Sequence, residues 1–374
     1  MATETPEDTR DGAFLWSRRV LPVNLFHILE YTRFKSYVPE PEVPLRNDLD
    51  VLAAVIAHSL SEVLKKGIVR DYTDHSEITS HPHGHIDVPA SVKTRAIARR
   101  KLYCDYQMYD ELTFCNSFIA SAVSALLTGR LGEAVYAKLA EVARPLSGLP
   151  RMPLTSQNAE KAIYKGRDRD YADLLEFCKM FVYDMLPSSV SSGTKVSEFI
   201  SDQRFFALYE EFLRCYYAKE HPELFVAKRK IDWKTIDWCS SERIESALPD
   251  METDVRLAHG GKVLIMDAKC YAEPMKSKVA GSAPKYDSAN MYQMIAYAEN
   301  LKRSGKKKDG RVATMLVYAV LDGSFADLSG CYEIDGTLHH IEFLNLGADW
   351  PEVQEELEGI AAGVEDGSLF SRPE

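Results

Sequence analysis

Three residues in Met251–Tyr271 (METDVRLAHGGKVLIMDAKCY) have the types and spacing of a hydrolytic site. Asp267 and Lys269 are two apart, so a strand would turn both side chains to one face. Asp254 lies upstream, across His259-Gly260-Gly261. If Gly260-Gly261 is a two-residue hairpin turn, Asp254 is the cross-strand partner of Asp267. Carboxylates opposed in this way repel. A divalent cation between them reverses the penalty, and converging hard oxygen ligands suit magnesium. Lys269 beside the metal would hold or activate a water, or stabilise charge on a phosphate. The set suits metal-assisted hydrolysis of a phosphodiester, in which the metal polarises a phosphoryl oxygen and lowers the pKa of a bound water. An Asp-x-Lys pair on a strand is also common as a plain ion pair, so its weight comes from its neighbours.

One such neighbour is the segment Tyr292-Gln293-Met294-Ile295-Ala296-Tyr297, where Gln293 and Tyr297 share a helix face at i, i+4. Glu210 and Glu211 (LYEEFL) precede the strands, and Glu210 is the candidate for a further metal ligand; a solvated helix carboxylate is the other reading. Residues 265–311 hold ten Lys/Arg against five Asp/Glu, with Lys302, Arg303, Lys306, Lys307 and Lys308 clustered at the end of the Gln293 helix. Such a patch could neutralise phosphates, or be a solvated basic loop. A second basic run spans Lys93–Lys101. His75, His81, His83 and His85 are close enough in sequence to invite a zinc reading. They lie in a Pro/Gly loop without a companion cysteine, so a polar loop is the better account. The chain has no GxxxxGK[ST], GxSxG or HExxH motif.

These residues need strands and helices to hold them. The patterning predicts helices over Pro22–Tyr31, Asp48–Lys66, Asn116–Arg144 (interrupted near Gly129–Gly132), Tyr171–Met185, Phe205–Tyr217 and Ser288–Leu301. Short strands or extended loops are expected over 68–95. Further strands are expected at Ile231–Trp238, Thr253–Leu257, Lys262–Lys269 and Ala313–Val320. Helix, three strands, helix, strand is an α/β layering. At 374 residues two domains are expected, joined somewhere between Pro145 and Gly193, and the acidic stretch from Glu352 reads as a tail.

Composition excludes several classes. The chain is 45% hydrophobic and 27% charged, which rules out wholesale disorder. Its net charge of −11 argues against coating nucleic acid by bulk charge, though not against local basic surfaces. No apolar run is long enough for a membrane span, and Met1–Gly12 lacks the pattern of a signal peptide. Seven scattered cysteines without a CxxC motif argue against a disulfide framework and for a reducing cytoplasm.

The Asp254/Asp267/Lys269 set with its Gln293/Tyr297 helix resembles the PD-(D/E)xK nuclease superfamily, in its QxxxY-bearing branch. Most of the chain resembles the McrC family of nuclease subunits. The N-terminal marks are LPVNLFHILEYT (Leu21–Thr32), KKGIVRDY (Lys65–Tyr72), HGHIDVPASVK (His83–Lys93) and the Asn116 helix. The C-terminal marks are LPDMETDVRL (Leu248–Leu257), DAKCY (Asp267–Tyr271), NMYQMIAYAENLK (Asn290–Lys302) and NLGADW (Asn345–Trp350). Cys270 stands where that family usually has an aromatic or aliphatic residue.

The resemblance implies an α/β (α+β) chain. Residues 1–155 would form a mixed helix/strand domain that binds a McrB-like AAA+ GTPase hexamer and stimulates its GTP hydrolysis. Residues 156–374, after a helical lead-in, would form a restriction-endonuclease-like domain with a central mixed sheet flanked by helices. It implies magnesium-dependent cleavage of double-stranded DNA containing modified cytosine, in antiphage defence, with GTP used by the partner. Asp254, Asp267 and Lys269 would be catalytic, Asp254, Asp267 and Glu210 would hold the metal, and Gln293 and Tyr297 would support them. Two alternatives stand beside this: a non-catalytic activator of a ring motor, and a self-sufficient RecB-like exonuclease.

Overall fold

A computed structural model describes residues 19–33, 43–185, 202–233, 241–271, 273–275, 285–303 and 310–373. The chain divides into two compact units, Met1–Glu40 with Ile200–Glu374, and Pro41–Phe199. The division differs from the expected one at both ends. Helix α1 (Pro22–Arg33) belongs to the C-terminal unit because Asn24 donates to the carbonyls of Leu346 (2.9 Å) and Ala348 (2.7 Å), and His27 stacks on Trp350. Residues beyond 155 stay with the middle unit, where the Tyr171 hydroxyl donates to Asn116 Oδ1.

The middle unit begins with α2 (Asp48–Lys66), capped by Asn47, whose side chain accepts from the Asp50 N–H. One antiparallel sheet follows, ordered β1-β3-β2, from β1 (Asp71–Thr79), β2 (His85–Ile86) and β3 (Leu102–Asp110). The expected strands over 68–95 are therefore present, together with an unexpected helical turn at Val88–Lys93, which Asp87 caps. Helices α3 (Phe114–Leu126), α4 (Glu133–Ala143) and α5 (Arg169–Met185) complete the unit, and the long helix expected over Asn116–Arg144 is broken where Gly129 and Gly132 lie. Fully buried Asn116 ties α3 to the chain before it, donating to the Val69 and Glu111 carbonyls.

In the other unit α6 (Asp202–Glu220) leads into a six-stranded mixed sheet of order β4-β5-β6-β7-β9-β8. The strands are β4 (Phe225–Ile231), β5 (Met251–His259), β6 (Lys262–Cys270), β7 (Arg311–Val320), β8 (Gly330–Ile334) and β9 (Thr337–Asn345). The β6–β7 and β7–β9 pairs are parallel and the rest antiparallel. Helix α7 (Ser288–Arg303) crosses between β6 and β7, and α8 (Trp350–Asp366) ends the unit. The class is α+β.

Three expectations need correction. The strand expected at Ile231–Trp238 lies earlier, ending at Ile231, because the ladder to β5 runs through Arg229 and Lys230; residues 234–238 fall outside the described residues. Strands β8 and β9 had no counterpart in the expected layout. The supposed acidic tail is α8, whose Val353, Leu357, Ile360, Ala361 and Val364 are buried while its glutamates line the other side.

Candidate active site

The run Val263–Met266 is buried on both faces, which suits β6 to an interior position in the sheet. Alternation puts Asp267 and Lys269 on the face of Val263 and Ile265, which packs against Met294 and Tyr297 of α7. Asp267 is only 2% exposed. The β5–β6 ladder runs from His259↔Lys262 to Val255↔Met266, the register that a two-residue turn imposes. Gly260 and Gly261 both have positive φ (54° and 83°), as a type I′ hairpin turn requires. Asp254 and Asp267 are the next positions along. The Asp254 carboxylate accepts the Ala268 backbone N–H (2.8 Å), which holds it against the second strand.

Gln293 organises the remaining groups. Its Nε2 donates to Asp267 Oδ1 (3.1 Å) and to the Tyr297 hydroxyl (2.9 Å), while its Oε1 accepts from the Lys269 ammonium (3.2 Å). The reverse orientation of the amide would set its NH₂ against that ammonium. Tyr297 in turn donates to the Glu252 carbonyl (3.0 Å), fastening α7 to β5. Lys269 forms a close ion pair with the buried Asp267 Oδ2, to which its ammonium donates. Lys269 is thus held between a carboxylate and an amide, both anchored by α7 and β6.

Burial together with the charges of Asp267 and Glu210 pushes Asp254 up to about 7, although the Ala268 N–H opposes the shift. Burial also raises Asp267, against the pull of Lys269. Burial alone would lower Lys269, but the adjoining Asp267 carboxylate outweighs it and the pKa rises. Glu210, half-buried on α6, is raised by burial, opposed first by Lys228; Asp267 and Lys269 also act on it. Glu211 turns away to pair with Arg33 (3.1 Å). Asp267 contacts Lys269, and Asp254 and Glu210 lie within electrostatic reach of both; carboxylates so placed repel by themselves and suit a hard cation. The hard oxygen donors of Asp254 and Asp267, with Asp254 pushed up by burial and by the charges of Asp267 and Glu210, fit such an ion; Asp254, Asp267 and Glu210 are the residues that would hold it.

The structure brings together Asp254, Asp267, Lys269, Gln293, Tyr297 and Glu210. Lys302 lies at the end of α7, where it pairs with Glu299 (3.3 Å) and donates to the Asp335 carbonyl, and Arg303 is exposed beside it. Lys306, Lys307 and Lys308 lie outside the described residues. His75 is engaged by Asp110 (2.6 Å) and His83 lies near Glu77 (3.6 Å). Among the described residues the grouping whose ligand atoms all lie within 4.8 Å of one another is His221, Glu223 and Glu365, remote in sequence from that loop; Asp254, Asp267 and Glu210 are spread more widely and would draw together on a cation. The sequence reading missed Asn290, which links Tyr271 to Tyr318 behind Lys269, and Lys228 of β4. The Lys228-Arg229-Lys230 run was the available signal for the latter.

Fold and site define an α+β protein with a carboxylate–lysine site built where the hairpin and the parallel part of a mixed sheet meet. The family described as McrBC 5-methylcytosine restriction system component matches residues 24–319. The type IV methyl-directed restriction enzyme EcoKMcrBC of Escherichia coli (strain K12) is 24% identical over 347 residues, covering 90% of this chain and 96% of that protein. A chain of the solved tetradecameric assembly of Thermococcus gammatolerans McrB AAA+ hexamers with bound McrC aligns over 91% of this chain and 75% of its own, with a TM-score of 0.52 and 11% identity, a likeness of fold. The chain belongs to the McrBC 5-methylcytosine restriction system component family, as a member of its McrC branch. In general terms that membership makes it a restriction nuclease subunit.

Proposed function

We propose that this chain is the DNA-cutting subunit of a GTP-dependent, modified-cytosine-specific restriction complex, acting by metal-dependent phosphodiester hydrolysis on a PD-(D/E)xK-type site. The observation that carries this reading is the convergence of Asp254 and Asp267 on a lysine held by Gln293. Magnesium, when bound, supplies Lewis-acid polarisation of the phosphoryl oxygen and a more acidic water. Asp254 and Asp267 would hold the cation, with Glu210 as a further ligand. Burial and the charges of Asp267 and Glu210 raise Asp254 to about 7, so cation binding there would be favoured as pH rises through that value. Lys269 stabilises charge developing on the phosphate oxygens, and Gln293 fixes the direction of its ammonium.

The partner is a McrB-like AAA+ GTPase hexamer. We assign its binding and stimulation to the Pro41–Phe199 unit, whose small sheet and following turn expose Tyr72, Val88, Val92, Ile97, Met108 and Tyr109 beside the Lys93–Lys101 run. Exposed apolar groups in such number suit a protein interface. Lys302 and Arg303, with Lys306–Lys308, would meet DNA phosphates. No described helix is long and apolar enough to cross a membrane.

The test combines the chain with its ring partner, GTP, magnesium and methylated duplex. Asp254→Ala should abolish strand cleavage (at least about a thousandfold) while GTPase stimulation stays within about twofold of the native complex. Cleavage at the native rate by Asp254→Ala would remove the site assignment. Absence of cleavage by the native complex, with GTPase stimulation intact, would favour the non-catalytic activator.

A further inference from the structure

The ladder between β4 and β5 contains an irregularity that bears on the site. Ala227 pairs with Arg256, yet Arg229 pairs with Thr253. One residue of β4, Lys228, therefore faces two of β5, Asp254 and Val255. This is a β-bulge carried by β5, and one of its two residues is the site aspartate. Bulges re-aim side chains and are frequent beside active sites.

Lys228 is well placed and only weakly engaged. It lies on the edge strand of the sheet, with its side chain 38% exposed. Its ion pair with Glu252 is long, at 3.7 Å, beyond hydrogen-bonding distance, and Glu252 is itself exposed. It is also the leading cationic influence on Glu210, ahead of Lys269. The neighbours on the same strand are committed elsewhere: Lys230 pairs with Asp250 (2.9 Å), and the Arg229 guanidinium lies over the Phe225 ring. Lys269 is taken up by Asp267 and Gln293. Asp254, Asp267 and Glu210 outnumber Lys269 at the site, so an incoming polyanion gains from a further cation at the rim of the cluster. Lys228 is that rim cation, on the open edge of the sheet.

We propose that Lys228 binds a DNA backbone phosphate adjoining the scissile one, exchanging its long pair with Glu252 for the substrate as the strand enters beside the bulge. This rests on the nuclease reading above and adds a substrate-binding residue to it. Lys228 would position the strand and take no part in proton transfer.

The experiment measures cleavage of methylated duplex by the full chain assembled with its GTPase partner, across a range of salt concentrations. Lys228→Ala should raise the DNA concentration for half-maximal cutting about tenfold and make its log–log salt dependence shallower by about 0.9. The maximal rate should stay within about threefold of native. Lys228→Arg should restore both quantities, and Lys230→Ala should change neither. Native half-saturation and salt slope in Lys228→Ala would overturn the proposal, as would a loss that Lys228→Arg does not rescue and that accompanies a lowered melting temperature. Asp254→Ala and Lys269→Ala run alongside separate the two failures. If they stop cleavage while Lys228→Ala is silent, only the Lys228 proposal falls; if they cleave normally, the nuclease reading falls first.

Discussion

Asp254 carries the largest electrostatic strain in the site, and its consequence is measurable without substrate. Its carboxyl titrates near 7 in the folded chain, raised first by burial and then by Asp267 and Glu210. In the unfolded chain it titrates near the ordinary aspartate value of about 3.9. Between these values the folded state binds the extra proton, so stability contributed by protonated Asp254 is full at about pH 4 and lost as pH rises through about 7. Asp254→Asn cannot ionise and escapes the loss. Calorimetry in chelator should find the variant melting higher than the native chain at about pH 8 and level with it at about pH 4. Saturating magnesium should close the gap at about pH 8, because the cation compensates the ionised carboxylates. Equal gaps at both pH values would show that the substitution acts through packing and not through charge. The spacing of these residues was visible in the sequence because their relations are local: i+2 on one strand, i+4 on one helix, and a hairpin turned by two glycines. For Lys228 the basic run 228–230 was a signal, but its place opposite Asp254 was not legible, because the register shift beside it has no signature in residue spacing.

At the scale of elements, the hairpin sets the distance between Asp254 and Asp267. Gly260 and Gly261 both adopt left-handed φ, which an L side chain reaches at a cost of roughly 1–2 kcal/mol. Gly260→Val should therefore lower unfolding free energy by about 1–2 kcal/mol in urea titration. It should also reduce cleavage beyond what the lost stability explains, since a changed turn displaces the two carboxylates relative to each other. Native stability in this variant would mean that the turn does not hold the register. Other elements escaped sequence reading for physical reasons. Strand β8 is a short edge strand without a buried face, and its turn into β9 uses Asp335 and Gly336 at positive φ, a signal present but short. Helix α8 looked like a tail because its glutamates lie between buried apolar positions that are separated mostly by three and four. Helix α1 was placed with the wrong neighbours because hydrogen bonds from Asn24 to residues more than three hundred positions away leave no trace in local pattern.

For the whole molecule, a net charge of −11 disfavours capture of DNA by the chain's overall field, local basic surfaces apart. Within the proposed function that task falls to the ring partner, and so to the Pro41–Phe199 unit. Tyr72 and Tyr109 are directly paired across β1 and β3 with ring centroids 5.4 Å apart, and they are 68% and 58% exposed. Paired exposed aromatics cost solvation in the free chain and are typical anchors of an interface. Their replacement together by serine should leave the fold intact, because neither ring is buried in the unit's core. It should weaken association with the GTPase ring by at least about tenfold, read by sedimentation or by loss of GTPase stimulation at fixed concentration. Cleavage should fall in parallel and recover when the chain is supplied in excess, because the carboxylate–lysine site lies in the other unit and is untouched. Undiminished association by the double variant would move the interface elsewhere on the unit, with the Lys93–Lys101 run as the next surface to replace. A cleavage defect that excess chain cannot recover would mean that the aromatic pair serves the cutting step and not the assembly.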